Sequence, residues 1–272
     1  MLNISIVLYK TPREQLMPLL EELYKIRSLN RIYLIDNSPV ESEELLSLPL
    51  PVVYIFNNAN LGYGRAHNIA IRESIYDEID YHLVINSDIE VKATDITTLL
   101  DFIEQHHEVG QIIPRVIYPN GEMQYVAKLL PTPLDVFGRR FLPKCWIKKR
   151  NSQYELRESG YNRPMNAPYL SGCFMLFRTE AVLQARLFDE RYFMYPEDID
   201  LTRTIHRDWL TLYLPTVTII HHHAKESYHS LRYLWIHIAN MCRYFNKWGW
   251  FRDKERDLFN YQVLKELNRQ YN

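Results

Sequence analysis

A short acidic motif after an apolar run is the first feature of this chain that could support chemistry. Asn86-Ser87-Asp88 directly follows the strand-like segment at residues 81–85. Hard divalent cations such as Mg²⁺ and Mn²⁺ prefer oxygen ligands, and they often bind through one or two carboxylates together with the phosphates of a substrate. Asp88 is therefore a candidate metal ligand, although an aspartate after a strand also serves as a turn residue or a helix cap.

A second acidic pair, Glu197-Asp198, lies within residues 193–201. Asp198 is predicted to begin a helix, where acidic side chains interact favourably with the helix dipole. A carboxylate fixed at a helix start can also remove a proton from an acceptor hydroxyl. The pair therefore supports a structural interpretation and a catalytic one at the same time.

Three consecutive histidines, His221-His222-His223, end a β-rich segment. Neighbouring side chains on a strand point to opposite faces, so the three cannot easily converge on one ion. We expect one of them to bind a metal with help from a carboxylate elsewhere. A structural role for that histidine is the alternative.

The first half of the chain must position these residues, and it alternates strand and helix signals. Strands are predicted at residues 4–9, 31–35, 52–56 and 81–85, with helices at residues 15–25 and 64–75. Strands separated by helices favour a mostly parallel sheet, whose ligands bind beyond the carboxyl ends of the strands. Those ends carry Tyr9, Asp36, Asn57 and Asp88, which predicts a nucleotide site there.

The second half departs from this alternation. Residues 131–163 predict a helix and a long loop rich in proline, basic and aromatic residues. Strands are predicted at residues 169–178 and 210–221, on either side of a helix at residues 198–207. The tail that follows is predicted to be helical, with a break at Trp248-Gly249-Trp250.

The composition excludes several classes of protein. A formal net charge of -1 over 272 residues argues against a nucleic-acid binder, and 47% apolar residues suffice for a large core. Cys145, Cys173 and Cys242 form neither a CxxC pair nor a disulfide framework. No apolar run approaches the roughly 20 residues that span a bilayer. The chain runs from Met1 directly into a strand, so we expect a cytoplasmic protein without a signal peptide.

The order of these motifs resembles that of family 2 glycosyltransferases with the GT-A fold, especially a rhamnosyltransferase-like branch that serves bacterial polysaccharides. The resemblance spans nearly the whole chain, at residues 5–9, 35–38, 60–68, 84–88, 169–176, 193–201, 221–227 and 244–250. It implies an α/β fold with a Rossmann-like nucleotide-binding half, a mostly parallel central sheet, an acceptor-binding half and a C-terminal helical tail. The implied division is a GT-A domain at residues 1–227 and a C-terminal helical extension at residues 228–272.

The resemblance also implies roles for individual residues. Asp198 would be the general base, with Glu197 supporting it or binding the acceptor, while Asp88 and His221 would bind Mn²⁺ or Mg²⁺. Asn86 stands where the usual DxD motif has its first aspartate. The residues lining the donor and acceptor sugars would be Ser171, Gly172 and Cys173. The nucleotide site would comprise Leu8, Tyr9, Asp36, Asn60, Gly62, Arg65, Asn68, Ser87 and Lys225, with a solvated helix position as the alternative for Arg65.

The implied reaction is the inverting transfer of a sugar from a nucleotide diphosphate sugar to a hydroxyl of a lipid-linked or growing surface glycan. dTDP-rhamnose is the first donor expected, followed by the UDP-hexoses. The alternative function is a non-catalytic subunit that binds glycan or nucleotide sugar in a polysaccharide synthesis complex, and the intact Asp88, Asp198 and His221 disfavour it. A second alternative, a nucleotidyltransferase, would usually carry a Gly-rich phosphate loop with basic residues after the first strand. This chain has Tyr9-Lys10-Thr11-Pro12 there, which disfavours that class.

Two segments could contact a membrane. The tail between Tyr233 and Arg252 mixes aromatic with basic residues, which suits an interfacial helix, a core-packing helix or a homodimer contact. The basic stretch from Arg139 to Arg150 suits either a lipid-facing element or a solvated run of charges. The implied location is the cytoplasm, on the inner face of the membrane.

Overall fold

A computed structural model describes residues 1–138, 142–222 and 231–269, apart from the side chains of Lys144, Leu231 and Arg232. The described strands are β1 Leu2–Leu8, β2 Leu29–Asp36, β3 Val52–Phe56, β4 Tyr81–Ile85, β5 Ile89–Glu90, β6 Val109–Ile117, β7 Met123–Gln124, β8 Ala127–Lys128, β9 Met165–Asn166, β10 Tyr169–Leu170, β11 Phe174–Arg178 and β12 Leu210–His221. The described helices are α1 Arg13–Leu23, α2 Glu43–Leu46, α3 Tyr63–Tyr76, α4 Ala93–Gln105, α5 Lys144–Tyr154, α6 Thr179–Gln184, α7 Glu197–Ile205, α8 Leu231–Trp248 and α9 Lys254–Arg269.

A mixed sheet forms the centre of the molecule, with strand order β3-β2-β1-β4-β11-β6-β12-β5. β1 pairs in parallel with β2 and β4, and β2 with β3. β11 runs antiparallel to both β4 and β6, so β6 points the same way as β4, and β12 is parallel to β6. The predicted mostly parallel α/β sheet is confirmed. The carboxyl ends of β1, β2, β4 and β12 consequently lie along one edge.

The apolar periodicity of the chain explains how the helices cover this sheet. α1 buries Leu16, Leu19, Leu20 and Leu23, which are spaced to share one face. α3 buries its small residues Gly64, Ala66 and Ala70, so its backbone lies close to its neighbours. β1 is buried at six of its seven positions, including the polar Asn3 and Ser5, because helices cover both faces of the sheet.

The predicted strand at residues 169–178 is wrong at its centre. The structure splits it into β10, which pairs with β8 in a separate two-stranded sheet, and β11, which enters the central sheet. Ser171, Gly172 and Cys173 connect the two strands. These three residues leave the ladder, and their backbone bonds to other segments instead, with Ser171 N–H donating to the Val126 carbonyl oxygen and the Cys173 carbonyl oxygen accepting from Asn86 N–H.

The C-terminal helices α8 and α9 pack against the rest of the molecule. Met241, Tyr244, Phe245 and Val263 belong to the same buried cluster as the strands of the sheet. Between Met241 and Trp250, the tail aromatics therefore follow the core-packing alternative. No helix in the described ranges is long and apolar enough to cross a membrane.

Candidate functional site

A cleft of about 1280 Å³ opens at the carboxyl edge of the parallel strands. The ends of β1, β4 and β12 line it, together with the connection between β10 and β11 and the first turn of α7. The predicted site residues that line this cleft are Tyr9, Ser87, Asp88, Ser171, Gly172, Cys173, Glu197, Asp198 and His221. The topology thus gathers residues that are far apart in the sequence.

Asp88 and His221 form a two-residue cluster suited to a divalent cation. The His221 Nε2 atom lies 3.4 Å from Asp88 Oδ1. On the other side of the ring, His221 Nδ1 lies 2.9 Å from Gln124 Oε1, and Gln124 Nε2 donates to the His221 carbonyl oxygen over 2.9 Å. A histidine that ligates a metal commonly donates its other ring N–H in this way, which fixes the tautomer.

The donor set therefore fits a hard or borderline cation that completes its coordination with substrate phosphates. His222 also lines the cleft, but its Nε2 atom pairs with the exposed carboxylate of Glu90 rather than with Asp88. His223 and Lys225 lie outside the described residues. Among the residues that are described, no group of three or more His, Cys, Asp or Glu side chains could hold an ion by itself.

Asn86 contacts the hydroxyl of Tyr63 at the carboxyl end of β4. The Tyr63 hydroxyl lies 3.1 Å from Asn86 Oδ1 and 2.6 Å from the Gly172 carbonyl oxygen. Burial raises the pKa of Tyr63 well above its usual range, so the hydroxyl keeps its proton as a donor. Tyr63 thereby links the end of β4 to the loop that carries Gly172.

Asp198 is held at the start of α7 by two backbone donors. Gly172 N–H donates to Oδ2 over 2.9 Å, and Ile199 N–H donates to Oδ1 over 2.8 Å. Burial raises the pKa of Asp198 to about 6, against the opposing effect of these two donors and of the Lys128 charge. A carboxyl group with this pKa can accept a proton near neutral pH.

Glu197 is buried beside Asp198 and is not exposed to bulk water. Burial, followed by the negative charge of Asp198, raises the pKa of Glu197 well above its usual range. Its Oε2 atom has no hydrogen-bond partner among the described residues. A buried polar atom of this kind indicates a position where a ligand hydroxyl would be favourable.

Asp36 and Leu8 line a smaller cavity of about 390 Å³ next to the cleft. The two Asp36 carboxylate oxygens accept hydrogen bonds from Ser38 N–H at 2.8 Å and from the Tyr54 hydroxyl at 2.7 Å. Lys10 and Thr11 line both this cavity and the main cleft, so the two spaces adjoin. The arrangement can accommodate one end of an extended ligand in the smaller cavity and the other in the cleft.

Asn60 and Gly62 shape the turn that precedes α3. Asn60 Oδ1 accepts from Gly62 N–H over 3.0 Å. Gly62 has a φ of 85°, and a Cβ atom at this position would lie 2.2 Å from the Phe193 carbonyl oxygen. Both residues thus fix the backbone around Tyr63 and the segment that leads to α7.

The structure does not bring Arg65 or Asn68 to the cleft. Arg65 is 54% exposed and its Nε atom lies 3.6 Å from Glu190 Oε2, in agreement with the solvated alternative. The Asn68 amide is buried against the Phe188 backbone, donating to the carbonyl oxygen over 2.9 Å and accepting from N–H over 3.1 Å. Asn68 therefore holds α3 to the segment after α6, and its predicted part in shaping the nucleotide site stays a prediction.

Three residues in the site escaped the sequence analysis. Tyr63 and Gln124 orient the residues named above, and Lys128 lowers the pKa of Asp198 through its charge. Tyr63 follows the Gly62 turn within a motif that was noted, so its position was a usable signal. Gln124 and Lys128 lie in the short strands β7 and β8, and no local pattern distinguishes them.

Comparison with known sequences adds independent information. The profile of glycosyl transferase family 2 matches residues 18–184. An N-acetylglucosaminyl-diphospho-decaprenol L-rhamnosyltransferase of Mycobacterium tuberculosis is 31% identical over 182 residues, which cover 62% of this chain and 58% of that protein. Rhamnosyltransferase WbbL of Escherichia coli K12 is 27% identical over 191 residues, which cover 67% of this chain and 69% of that protein. The match thus spans less than two thirds of the mycobacterial relative.

A solved structure supports the fold. The mannosyltransferase PcManGT from Pyrobaculum calidifontis, in complex with GDP-Man and Mn²⁺, aligns with a TM-score of 0.55 at 14% identity, covering 89% of this chain and 64% of that one. Such a low identity supports the GT-A fold alone. The family profile covers more than half of the chain, and the matched residues include β2, β4 and the loop that carries Gly172. The chain belongs to glycosyl transferase family 2.

Proposed function

We propose that the protein transfers a sugar from a nucleotide diphosphate sugar to a hydroxyl of a lipid-linked or growing glycan, with inversion at the anomeric carbon. The observation that carries this proposal is the position of Asp198. Its carboxylate is oriented by the Gly172 and Ile199 N–H groups and shares one cleft with Asp88 and His221. A base and a phosphate-binding centre in one cleft are what a single displacement requires.

The reaction then follows from the roles of the side chains. The acceptor hydroxyl attacks the anomeric carbon while the nucleoside diphosphate leaves from the opposite face. Asp198 accepts the hydroxyl proton, and its raised pKa matches it to this task. A protonated Glu197 can donate a hydrogen bond to an acceptor oxygen. One displacement inverts the anomeric configuration.

Asp88 and His221 are the residues that would hold Mn²⁺ or Mg²⁺, which when bound supplies Lewis-acid stabilisation of charge on the leaving diphosphate. Gln124 would keep the imidazole in the tautomer whose Nε2 atom faces Asp88. Support for a divalent cation also comes from the Mn²⁺ named with the archaeal mannosyltransferase.

The proposed donor is dTDP-rhamnose, because both sequence relatives are named rhamnosyltransferases. UDP-hexoses are the next candidates. The name of the mycobacterial relative specifies an N-acetylglucosaminyl-diphospho-decaprenol. By analogy we propose a lipid-linked glycan as acceptor, which would place the protein at the inner face of a bacterial membrane.

A donor panel tests the proposal. Purified protein with Mn²⁺ is incubated with dTDP-rhamnose, UDP-hexoses and GDP-mannose, and the released nucleoside diphosphate is measured. We expect one donor to turn over, and Asp198→Asn to lower the rate at least about 100-fold because the proton acceptor is lost. The matched control is Asp101→Asn, on the exposed surface of α4, which should retain full activity.

Two outcomes would contradict the proposed function. Equal turnover by the wild type and Asp198→Asn would remove Asp198 from the chemistry. Donor binding without turnover, in the presence of a lipid-linked acceptor, would favour the non-catalytic binding role instead.

A further inference from the structure

The helix α5 presents an exposed face that combines an aromatic ring with positive charge. Trp146 is 77% exposed, and Lys148 and Lys149 are also exposed. Trp146 and Lys149 are three residues apart, so they share one side of the helix. Ile147 and Tyr154 are buried and fix α5 to the molecule, which leaves the exposed side chains to face solvent.

The positive charge on this face is not neutralised within the described part of the chain. Arg150 pairs with Asp135, but Lys148 and Lys149 take part in no ion pair with a described residue. Residues 142–153 contain no aspartate or glutamate at all. In a chain of formal net charge -1, this is a local concentration of positive charge.

Two further apolar side chains lie next to each other before α5. Leu134 is 47% exposed and Leu142 is 38% exposed. A Cβ atom at Gly138 would lie 3.0 Å from Leu134 Cδ1 and 3.4 Å from Leu142 Cδ1, so both leucines pack around that glycine. We call Leu134, Leu142, Trp146, Lys148 and Lys149 together the docking surface.

Three aromatic residues of the tail make internal contacts instead. Trp248 Nε1–H donates to Asp200 Oδ1 over 2.6 Å, and Trp250 Nε1–H donates to Asn246 Oδ1 over 2.7 Å. Phe245 is fully buried. These three rings make contacts within the molecule, whereas Trp146 is exposed, as are Trp235 and Phe251 of the tail.

The docking surface is connected to the loop of Ser171, Gly172 and Cys173 that lines the cleft. The Tyr154 carbonyl oxygen, at the end of α5, accepts from Leu129 N–H over 3.0 Å. The preceding residue, Lys128, pairs with Tyr169 between β8 and β10. Ser171 N–H in turn donates to the Val126 carbonyl oxygen over 2.9 Å, so the same short strands support α5 and the sugar-binding loop.

We propose that the docking surface binds the anionic phospholipid surface of a membrane. Lysine side chains near such a surface gain from its negative potential, and tryptophan and leucine side chains enter the boundary between headgroups and acyl chains. This inference deepens the proposed function, because a lipid-linked acceptor would be presented at that surface. The binding itself requires neither donor nor catalysis.

Flotation with lipid vesicles tests the proposal. The full chain is mixed with vesicles of phosphatidylglycerol and phosphatidylcholine at 1:1, or of phosphatidylcholine alone, at low and high salt. We expect binding to the anionic vesicles that weakens at high salt. The double variant Lys148→Glu/Lys149→Glu should bind at least about tenfold more weakly, and Trp146→Ser should also reduce binding.

The controls match each change elsewhere on the surface. Arg27→Glu/Arg186→Glu reverses two exposed charges that form no ion pair in the described ranges, and Tyr76→Ser removes an aromatic ring that is 85% exposed. Both controls should bind as the wild type does. Each variant is checked for an unchanged thermal unfolding midpoint, and for donor hydrolysis, which should persist in Lys148→Glu/Lys149→Glu.

Absence of binding to anionic vesicles would overturn the proposal while leaving the reaction untouched. Binding that survives both Lys148→Glu/Lys149→Glu and Trp146→Ser would also overturn it, because another surface would then be responsible. Loss of donor hydrolysis by Asp198→Asn is measured separately, so the two proposals fail independently.

Discussion

The ionisation of Asp198 sets a pH dependence for the proposed reaction. Its pKa is raised to about 6, so the carboxyl holds a proton below that pH and becomes a base above it. We expect kcat/KM to rise about tenfold per pH unit below 6 and to level off above it. Rates measured between pH 5 and pH 8, over a range where circular dichroism shows an intact fold, test this expectation.

A variant of Lys128 tests whether Asp198 is the group that titrates. Its positive charge lowers the pKa of Asp198, so Lys128→Met should move the rising limb of the profile to higher pH. A limb that stays in place in this variant would assign the titration to another group.

Gln124 contacts His221, one of the two proposed metal ligands. A change at Gln124 should therefore alter the activation of the enzyme by metal. The Gln124 amide contacts both the ring and the backbone of that histidine. Gln124→Leu should therefore raise the Mn²⁺ concentration for half-maximal activity by about tenfold or more, and His221→Ala by a larger factor. His222→Ala is the matched control, because that exposed ring faces Glu90. Equal effects of the two histidine variants would contradict the assignment of His221.

At the scale of elements, Tyr63 connects α3 to both sides of the cleft. Tyr63→Phe leaves the Gly172 carbonyl oxygen and Asn86 Oδ1 without this donor, a loss of about 1–3 kcal/mol for buried polar groups. Because Gly172 N–H also orients Asp198, we expect kcat to fall about tenfold or more, with a smaller change in KM.

Tyr213→Phe is the control for Tyr63→Phe. Its hydroxyl donates to the Tyr161 carbonyl oxygen over 2.9 Å, in a buried region that does not line the cleft. This variant should lose stability in urea denaturation but retain its activity. A similar loss of kcat in both variants would show a general effect of destabilisation.

The alternation of strands and helices in the first half could be predicted because each element has its own apolar period. β6 escaped prediction for a local reason, since it contains Pro114, which cannot donate to a ladder. In the structure this proline precedes a register shift between β6 and β12, where the missing donor is tolerated.

Within the site, Asp88 and Asp198 were recognisable from the sequence, whereas Tyr63 and Gln124, which orient other site residues, were not. Asp88 and Asp198 stand at an element boundary, which gives them a local signature. Gln124 is 97 residues away from His221 along the chain, and Tyr63 is 109 residues away from Gly172. Contacts of this range follow from the fold of the whole chain, so single-sequence patterns carry no trace of them.

At the scale of the whole molecule, a buried ion pair joins α7 to the residues at the start of α9. Arg203 on α7 is 1% exposed and donates to both Asp253 carboxylate oxygens at 2.7 Å. It also contacts Glu255 and lies 4.0 Å from the centre of the Trp248 ring. α7 begins with Glu197 and Asp198, so this pair ties the helix that carries the proposed base to the tail.

Arg203→Met tests how strongly the tail supports α7. Removing the guanidinium leaves the Asp253 carboxylate buried without its partner, which should lower the free energy of unfolding by about 3–5 kcal/mol in urea denaturation. Arg207→Met is the matched control, because that side chain is 42% exposed and pairs with Glu255, and it should cost less than about 1 kcal/mol. In the double variant Arg203→Met/Asp253→Asn the unpaired charge is gone, so part of the stability should return. Equal losses in the two arginine variants would mean that the tail stabilises α7 through its apolar contacts alone.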